Sequence, residues 1–153
     1  MRTRVRTPSV AAVVLLVTTA LAGCSDTVDG YCSTLADEQQ TLTDLADRTA
    51  EPGFDVLTPS LAALERLRDE APDDLRDEWD TVVRAWAALA DAVADAGVDP
   101  GDYRPGQVPE GLGRAERRQL AAVASKLSSP RVVGAAAGIE DHALEVCEVD
   151  FGA

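Results

Sequence analysis

The stretch that decides the fold is PDDLRDEWDTVVRAWAALADAVADAG, residues 72–97. Its large apolar residues recur at alternating spacings of four and three: Leu75, Trp79, Val82, Trp86, Leu89 and Val93. This spacing puts one side chain per turn on a single face of an α-helix, which is the pattern of a bundle seam. Pro72 and the two aspartates that follow it mark the beginning of the helix, and Gly97 marks its end.

Four further segments have helical periodicity, and no run alternates convincingly as a strand does. They span residues 30–49, 58–71, 114–128 and 129–148. Thr58-Pro59 and Ser129-Pro130 are start signals, each a capping hydroxyl followed by proline. The sequence therefore predicts an all-α bundle of four to five helices, with a Pro- and Gly-rich loop at residues 98–113.

Residues 1–23 differ from the rest of the chain. Three arginines precede an apolar, uncharged stretch at residues 10–22. As a helix this stretch would be about 20 Å long at ~1.5 Å per residue, shorter than the ~30 Å hydrocarbon core of a membrane. That is the length of the apolar region of a signal peptide. It leads into Leu21-Ala22-Gly23-Cys24.

This segment resembles the signal peptide of a bacterial prolipoprotein, whose lipobox is Leu-small-small-Cys; the resemblance covers residues 1–24. It implies removal of residues 1–23, a diacylglycerol on Cys24, a short lipidated tether at 24–29 and a single helical domain at 30–153. Acyl chains would then anchor the protein on the extracytoplasmic face of the cell membrane. An ordinary secretory peptide and an uncleaved anchor are the alternatives. The mature part is similar to small helical lipoproteins of high-GC Gram-positive bacteria, families mostly of unknown function.

With Cys24 modified by lipid, Cys32 and Cys147 remain as an even pair in an oxidising compartment, so we expect a disulfide between them. A metal pair is the weaker interpretation, because the chain has one histidine to join them. Five strictly alternating helices would place Cys147 at the opposite end of the bundle from Cys32. Loop 98–113 can span about 53 Å at ~3.3 Å per residue, so we expect one long crossover. A bundle with one stub helix meets the same requirement.

The net charge of −13 excludes a typical nucleic-acid-binding protein, which needs clustered cationic charge. Residues 69–80 form the densest acidic run. Asp73, Asp74, Asp77 and Glu78 could offer hard oxygen ligands to Ca²⁺ or Mg²⁺, although a solvated acidic face is the simpler interpretation.

The two tryptophans and one loop pair are weak candidates for a ligand or partner site. Trp79 and Trp86 lie on the seam, so we expect core residues; a pocket between helices with these rings as its floor is the alternative. Tyr103-Arg104 is an aromatic and a cation that we expect to be exposed in the loop, either as a contact site or as a mere connector.

Two features of the last helix have structural explanations. His142, between Asp141 and Glu145, lacks the partners of a catalytic or metal site, so we expect a surface histidine. Gly134 and Gly138 permit close packing against a bulky neighbour, such as the tryptophan face.

The sequence holds no catalytic constellation and implies no cofactor. We therefore expect a non-enzymatic binding or interaction module whose partner is an envelope protein or a small ligand. A divalent-cation-binding protein that uses residues 69–80 is the alternative. An envelope enzyme that uses carboxylates such as Asp99 and Asp102 is the least favoured possibility.

Overall fold

A computed structural model describes residues 23–150 apart from 105, 108 and 110, and for residues 23–26 it describes the backbone alone. Residues 1–22 of the predicted signal peptide, which spans residues 1–23, lie outside this part of the chain. Five α-helices follow one another: α1 (Gly23–Asp47), α2 (Leu57–Glu70), α3 (Arg76–Asp95), α4 (Arg114–Leu127) and α5 (Pro130–Val146). Two 3₁₀ turns lie at Asp73–Leu75 and Pro100–Asp102. The all-α fold class is confirmed.

The helix α1 begins seven residues earlier than its apolar periodicity predicts. Residues 24–29, expected as a tether, are helical and continuous with the rest of α1. Thr27, Asp29 and Gly30 are exposed, so the residues just before the apolar stripe show no apolar pattern by which the sequence could predict this part of the helix.

Two buried clusters form the core, one at each end of the bundle. The lower core contains Tyr31, Leu35, Leu67, Ala71, Leu75, Trp79, Val82, Val83, Ile139 and Ala143. The upper core contains Leu57, Leu89, Ala92, Val93, Tyr103 and Leu120. Trp86 is half-buried and packs against both. The predicted seam of α3 is confirmed, because its other five members are buried.

The predicted disulfide is present and marks one end of the bundle, which we call the disulfide end. Cys32 and Cys147 pack against the lower core, and their Cα atoms lie 5.1 Å apart. This distance falls in the range of about 4.4–6.8 Å that a disulfide requires. The opposite end, which carries residues 98–113, is called the loop end.

The helices α1 to α3 are antiparallel. At the disulfide end Tyr31 of α1 shares the lower core with Leu67 of α2 and Trp79 of α3. At the loop end Leu57 of α2 lies in the upper core with Leu89 of α3. The central helix is α3, which packs against α2, α4 and α5.

The helices α4 and α5 run in the same direction and together form the fourth arm of the bundle. Glu116 at the beginning of α4 lines the same small depression as Asp95 at the end of α3. Further along, a Cβ at Gly138 of α5 would lie 3.5 Å from Cγ of Glu78, near the beginning of α3. Ser129, whose hydroxyl caps α5, separates the two helices as its start signal predicts. The chain therefore returns to the disulfide end in two steps.

The expected crossover of loop 98–113 is wrong, because the loop stays at the loop end. Tyr103 is buried in the upper core, and Leu112 packs against the same cluster. Gly101 passes the α1–α2 turn so closely that a Cβ would lie 2.5 Å from the carbonyl oxygen of Gly53. The length of the loop permitted a crossover, but a shared direction for α4 and α5 closes the disulfide without one.

Hydrogen bonds at the helix ends explain where α2 and α3 begin or stop. The helix α2 begins one residue before Thr58, and the carboxylate of Asp55 accepts the Thr58 N–H at 3.0 Å, so the cap precedes the predicted one. After α3, Gly97 has a φ of 67°, and the N–H of Val98 donates to the carbonyl of Val93 at 3.1 Å. This is the Schellman pattern that the predicted glycine stop provides.

Candidate functional site

An open cleft lies between α1 and α4 in the half of the bundle nearer the loop end. Its volume is about 560 Å³, within the ~300–1,000 Å³ typical of small-molecule sites. The described residues that line it are uncharged and mostly apolar. The large side chains among them are Leu42, Leu45, Leu57, Leu64, Trp86, Leu89, Tyr103 and Leu127. A site of this composition can bind an apolar molecule or the apolar part of a larger one.

The cleft exists because α4 packs against α3 without closing on α1. Leu120 is the one buried residue of α4. The next turns of α4 contribute Ala124 and Leu127 to one wall of the cleft, and α1 contributes Leu42 and Leu45 to the other. Residues of α2 and α3 form the floor. The chain leaves the helix at residues 128–129, and Ser128 lines the cleft at the end of the α4 wall.

Trp86 is the seam residue that is only half-buried, and it lines the cleft. Its ring lies between the two cores, with Leu89 one turn further along the same floor. The sequence offered a tryptophan-floored pocket as the alternative to a plain core position. The structure places Trp86 at such a pocket, whereas Trp79 is buried in the lower core.

Tyr103 closes the loop end of the cleft. It is 5% exposed, so the expectation of an exposed aromatic is wrong. The ring is buried because it packs into the upper core. Burial raises the pKa of its phenol above the ordinary value. Its hydroxyl makes no hydrogen bond to another described residue, although the residue lines the cleft. Tyr103 therefore brings one polar group to an apolar site.

Arg104 holds the loop rather than projecting from it. Its guanidinium donates to the carbonyl oxygens of Gly101 at 2.7 Å, of Tyr103 at 2.8 Å and of Glu51 at 2.5 Å. The last of these bonds ties the loop to the α1–α2 turn. With its donors directed at backbone carbonyls, Arg104 positions Tyr103 and does not line the cleft.

Trp79 belongs to a buried polar cluster beside the disulfide. Its indole N–H donates to the Tyr31 hydroxyl at 3.0 Å. Burial raises the pKa of Tyr31, the bond from Trp79 opposes that shift, and the charge of Asp74 adds to it. His142 packs edge-on against Tyr31 with ring centroids 6.0 Å apart, so the expected surface histidine is half-buried because its ring fills space beside the tyrosine.

The acidic run is mostly exposed and partly paired. Asp73 accepts a hydrogen bond from Arg76 at 2.8 Å, and Asp74 and Asp77 are exposed. Glu78 is half-buried, and one of its carboxylate oxygens has no hydrogen-bond partner among the described residues. In the part of the chain that the structure describes, no three His, Cys, Asp or Glu residues are grouped so that they could hold a metal ion.

The remaining sequence candidates have structural roles or lie outside the description. Asp99 caps the second 3₁₀ turn by accepting the Gly101 N–H at 2.8 Å, and Asp102 is exposed in that turn. Gly138 packs against Glu78 and not against a tryptophan, and a Cβ at Gly134 would meet open space. The Cys24 side chain lies outside the described residues.

The sequence offered a pocket with the tryptophan rings as its floor only as an alternative, and it did not predict the walls of the cleft. Its α1 wall was visible as the apolar stripe that includes Leu42 and Leu45, but a stripe does not say whether a neighbour covers it. The α4 wall was likewise visible in the sequence only as the apolar face of a helix. The one available signal is the second tryptophan of the seam, since a large amphipathic ring often lies at the margin of a core.

Comparison with protein-family models, with characterised proteins and with solved structures finds no match to this chain. Among the described residues, no helix combines the length and apolar character needed to cross a membrane.

Proposed function

We propose that this chain is a lipid-anchored, extracytoplasmic helical protein, non-enzymatic, that binds a small apolar ligand in the cleft between α1 and α4. The observation that carries the proposal is the cleft itself: about 560 Å³, with no charged residue among its described lining. A folded protein in water exposes such a surface at a cost, and a ligand that fills it removes apolar area from water.

The anchor half of the proposal is supported by the lipobox at residues 21–24 and by the Cys32–Cys147 disulfide, a bond typical of exported proteins. The position of the cleft fits an anchored protein. Leu42, the first cleft residue of α1, lies eighteen residues after Cys24, which is about 27 Å along a helix at ~1.5 Å per residue. A lipid at Cys24 would thus leave the cleft clear of the membrane surface.

Detergent partitioning tests the anchor. The native protein should partition into detergent, and Cys24→Ser should move it to the aqueous phase with its fold unchanged. Ser25→Ala, next to the modified residue, is the matched control and should stay with the detergent. A Cys24→Ser protein that remains in the detergent phase would remove the anchor from the proposal.

Fluorescence of the neutral apolar probe N-phenylnaphthylamine tests the cleft. Ala46 is an exposed alanine that lines the cleft, and Ala36 is an exposed alanine of α1 outside it. Ala46→Trp should fill the mouth and weaken probe binding by roughly tenfold or more, whereas Ala36→Trp should leave it unchanged. No binding to the wild-type protein, or equal binding by both variants, would contradict a cleft that takes apolar ligands.

A further inference from the structure

The geometry points to a ligand of defined chemistry: a long-chain carboxylate, with its chain in the cleft and its carboxylate at Arg117. This inference rests on the proposed function of the cleft and adds the charge and orientation of the ligand. It is carried by a second cavity, which adjoins the first and has Arg117 and Gln107 in its lining, and by the charge of α4.

The second cavity adjoins the cleft at its loop end and has a volume of about 210 Å³. The two cavities share Tyr103, Gly106 and Ala124, so a ligand can extend from one into the other. Gln107 and Arg117 line the second cavity and not the first. The combined site is therefore mostly apolar, and its charged side chain lies at one end.

Arg117 is the one charged residue among the described lining of either cavity. It is exposed, and its guanidinium makes no ion pair with another described residue. A planar guanidinium can bind both oxygens of a carboxylate through two parallel hydrogen bonds. The amide of Gln107 and the hydroxyl of Tyr103 add further donors beside it.

The charge of α4 supports an anionic ligand. The whole chain has a net charge of −13, yet α4 carries four basic residues and a single acid. It is the one helix of the five with net positive charge. The acidic surface elsewhere repels an anion, and this helix attracts it toward Arg117.

Binding of palmitate, compared with the uncharged hexadecanol of equal chain length, tests the inference. Arg117→Gln should weaken palmitate binding by about 3–10-fold, as loss of a partly exposed ion pair implies, and should leave hexadecanol unchanged. Arg118→Gln makes the same charge change on α4 outside the two cavities and should have a smaller effect on palmitate. Added salt should weaken palmitate binding to the wild type and not hexadecanol binding.

The two tryptophans report the position of the chain. In Trp79→Phe the remaining Trp86 lies at the cleft, and palmitate brominated on its chain should quench its fluorescence. In Trp86→Phe the remaining Trp79 is 3% exposed in the lower core and should not be quenched.

The outcomes separate the two proposals. If both amphiphiles bind and Arg117→Gln weakens them equally or not at all, the carboxylate assignment fails and the apolar cleft stands. If neither amphiphile nor N-phenylnaphthylamine binds, the proposed function fails. Quenching of Trp79 equal to that of Trp86 would place the chain outside the cleft and overturn the inference.

Discussion

Tyr31 and Tyr103, the two tyrosines of the chain, both titrate above the ordinary tyrosine value of 10.0, mainly because each is buried. As the pH rises, the unfolded chain therefore loses these protons at a lower pH than the folded protein does. The free energy of unfolding should be unaffected by the two groups below pH 10 and should fall as the pH rises through the folded pKa values. A pH titration followed by phenolate absorbance should show two midpoints above pH 10.0, and Tyr103→Phe should remove one of them.

The hydrogen bond from Trp79 gives this titration a specific control. The indole N–H donates to the Tyr31 oxygen and lowers its pKa, in opposition to burial. Trp79→Phe removes the donor, so the midpoint of Tyr31 should rise further. Trp86→Phe should not move it, and a fall in the midpoint in Trp79→Phe would show that the bond does not stabilise the phenolate.

Glu148 is the one described residue other than glycine with a positive φ, 56°. A left-handed conformation costs an L-residue about 1–2 kcal/mol, and glycine recovers part of this at an entropic cost of about 0.5–1 kcal/mol. Glu148→Gly should therefore raise the free energy of unfolding by about 0.5–1 kcal/mol in chemical denaturation. Glu145→Gly, inside α5, is the control for glycine and should lower the free energy of unfolding by about 1 kcal/mol. Glu148→Gln removes the charge alone, so it separates the effect of the charge from that of the backbone conformation. A lower free energy of unfolding in Glu148→Gly would contradict the conclusion that the backbone at this position is strained.

At the scale of the helix, α4 is the element held by the fewest buried groups, with Leu120 its one buried residue at 5% exposure. Leu120→Ala should remove about 2–3 kcal/mol from the local stability of α4. Amide hydrogen exchange should then accelerate across Arg114–Leu127, while α5 stays protected by Ile139 and Ala143 in the lower core.

Leu144 is 57% exposed on α5, so Leu144→Ala should change stability by less than about 0.5 kcal/mol and is the control. Global unfolding of Leu120→Ala, with α4 and α5 exchanging together, would show that α4 is not an independent unit. Loss of N-phenylnaphthylamine binding in Leu120→Ala would additionally link the docking of α4 to the cleft.

Features of the fold that depend on local interactions were predictable from the sequence, and features that depend on how helices pack were not. Periodicity predicted α3 because its apolar residues recur once per turn, and Ser129-Pro130 predicted the beginning of α5 because a cap is a local interaction. The direction of α4 was not predictable, since loop 98–113 is long enough for either path. Tyr103 is a single aromatic among prolines and glycines, so no pattern reveals its burial. The cleft depends on α4 packing against α3 without closing on α1, which is a property of tertiary packing.

The whole molecule has two ends with different properties. The disulfide end has a continuous lower core and a covalent bond, and the loop end has an upper core that the cleft interrupts. Polar contacts along α1 and α2 join them: Glu38, 8% exposed, accepts two hydrogen bonds from Arg66, at 2.5 and 2.9 Å. One half of the bundle is thus cross-linked and closely packed, and the other half retains an open site.

The disulfide should stabilise the whole molecule rather than the cleft. It joins residues 115 apart, and closing a loop of that size removes unfolded-state entropy equivalent to about 4–5 kcal/mol. Replacing both cysteines, Cys32→Ala with Cys147→Ala, should lower the free energy of unfolding by about 3–5 kcal/mol and increase the denaturant m-value, because the unfolded chain becomes more expanded. Reduction of the wild-type protein is the matched control and should produce the same change.

Below the denaturation midpoint the double variant should bind N-phenylnaphthylamine as the wild type does, since the cleft lies in the other half of the bundle. A weaker affinity at equal folded fraction would show that the disulfide positions the cleft, and an unchanged stability would show that the unfolded chain is already compact.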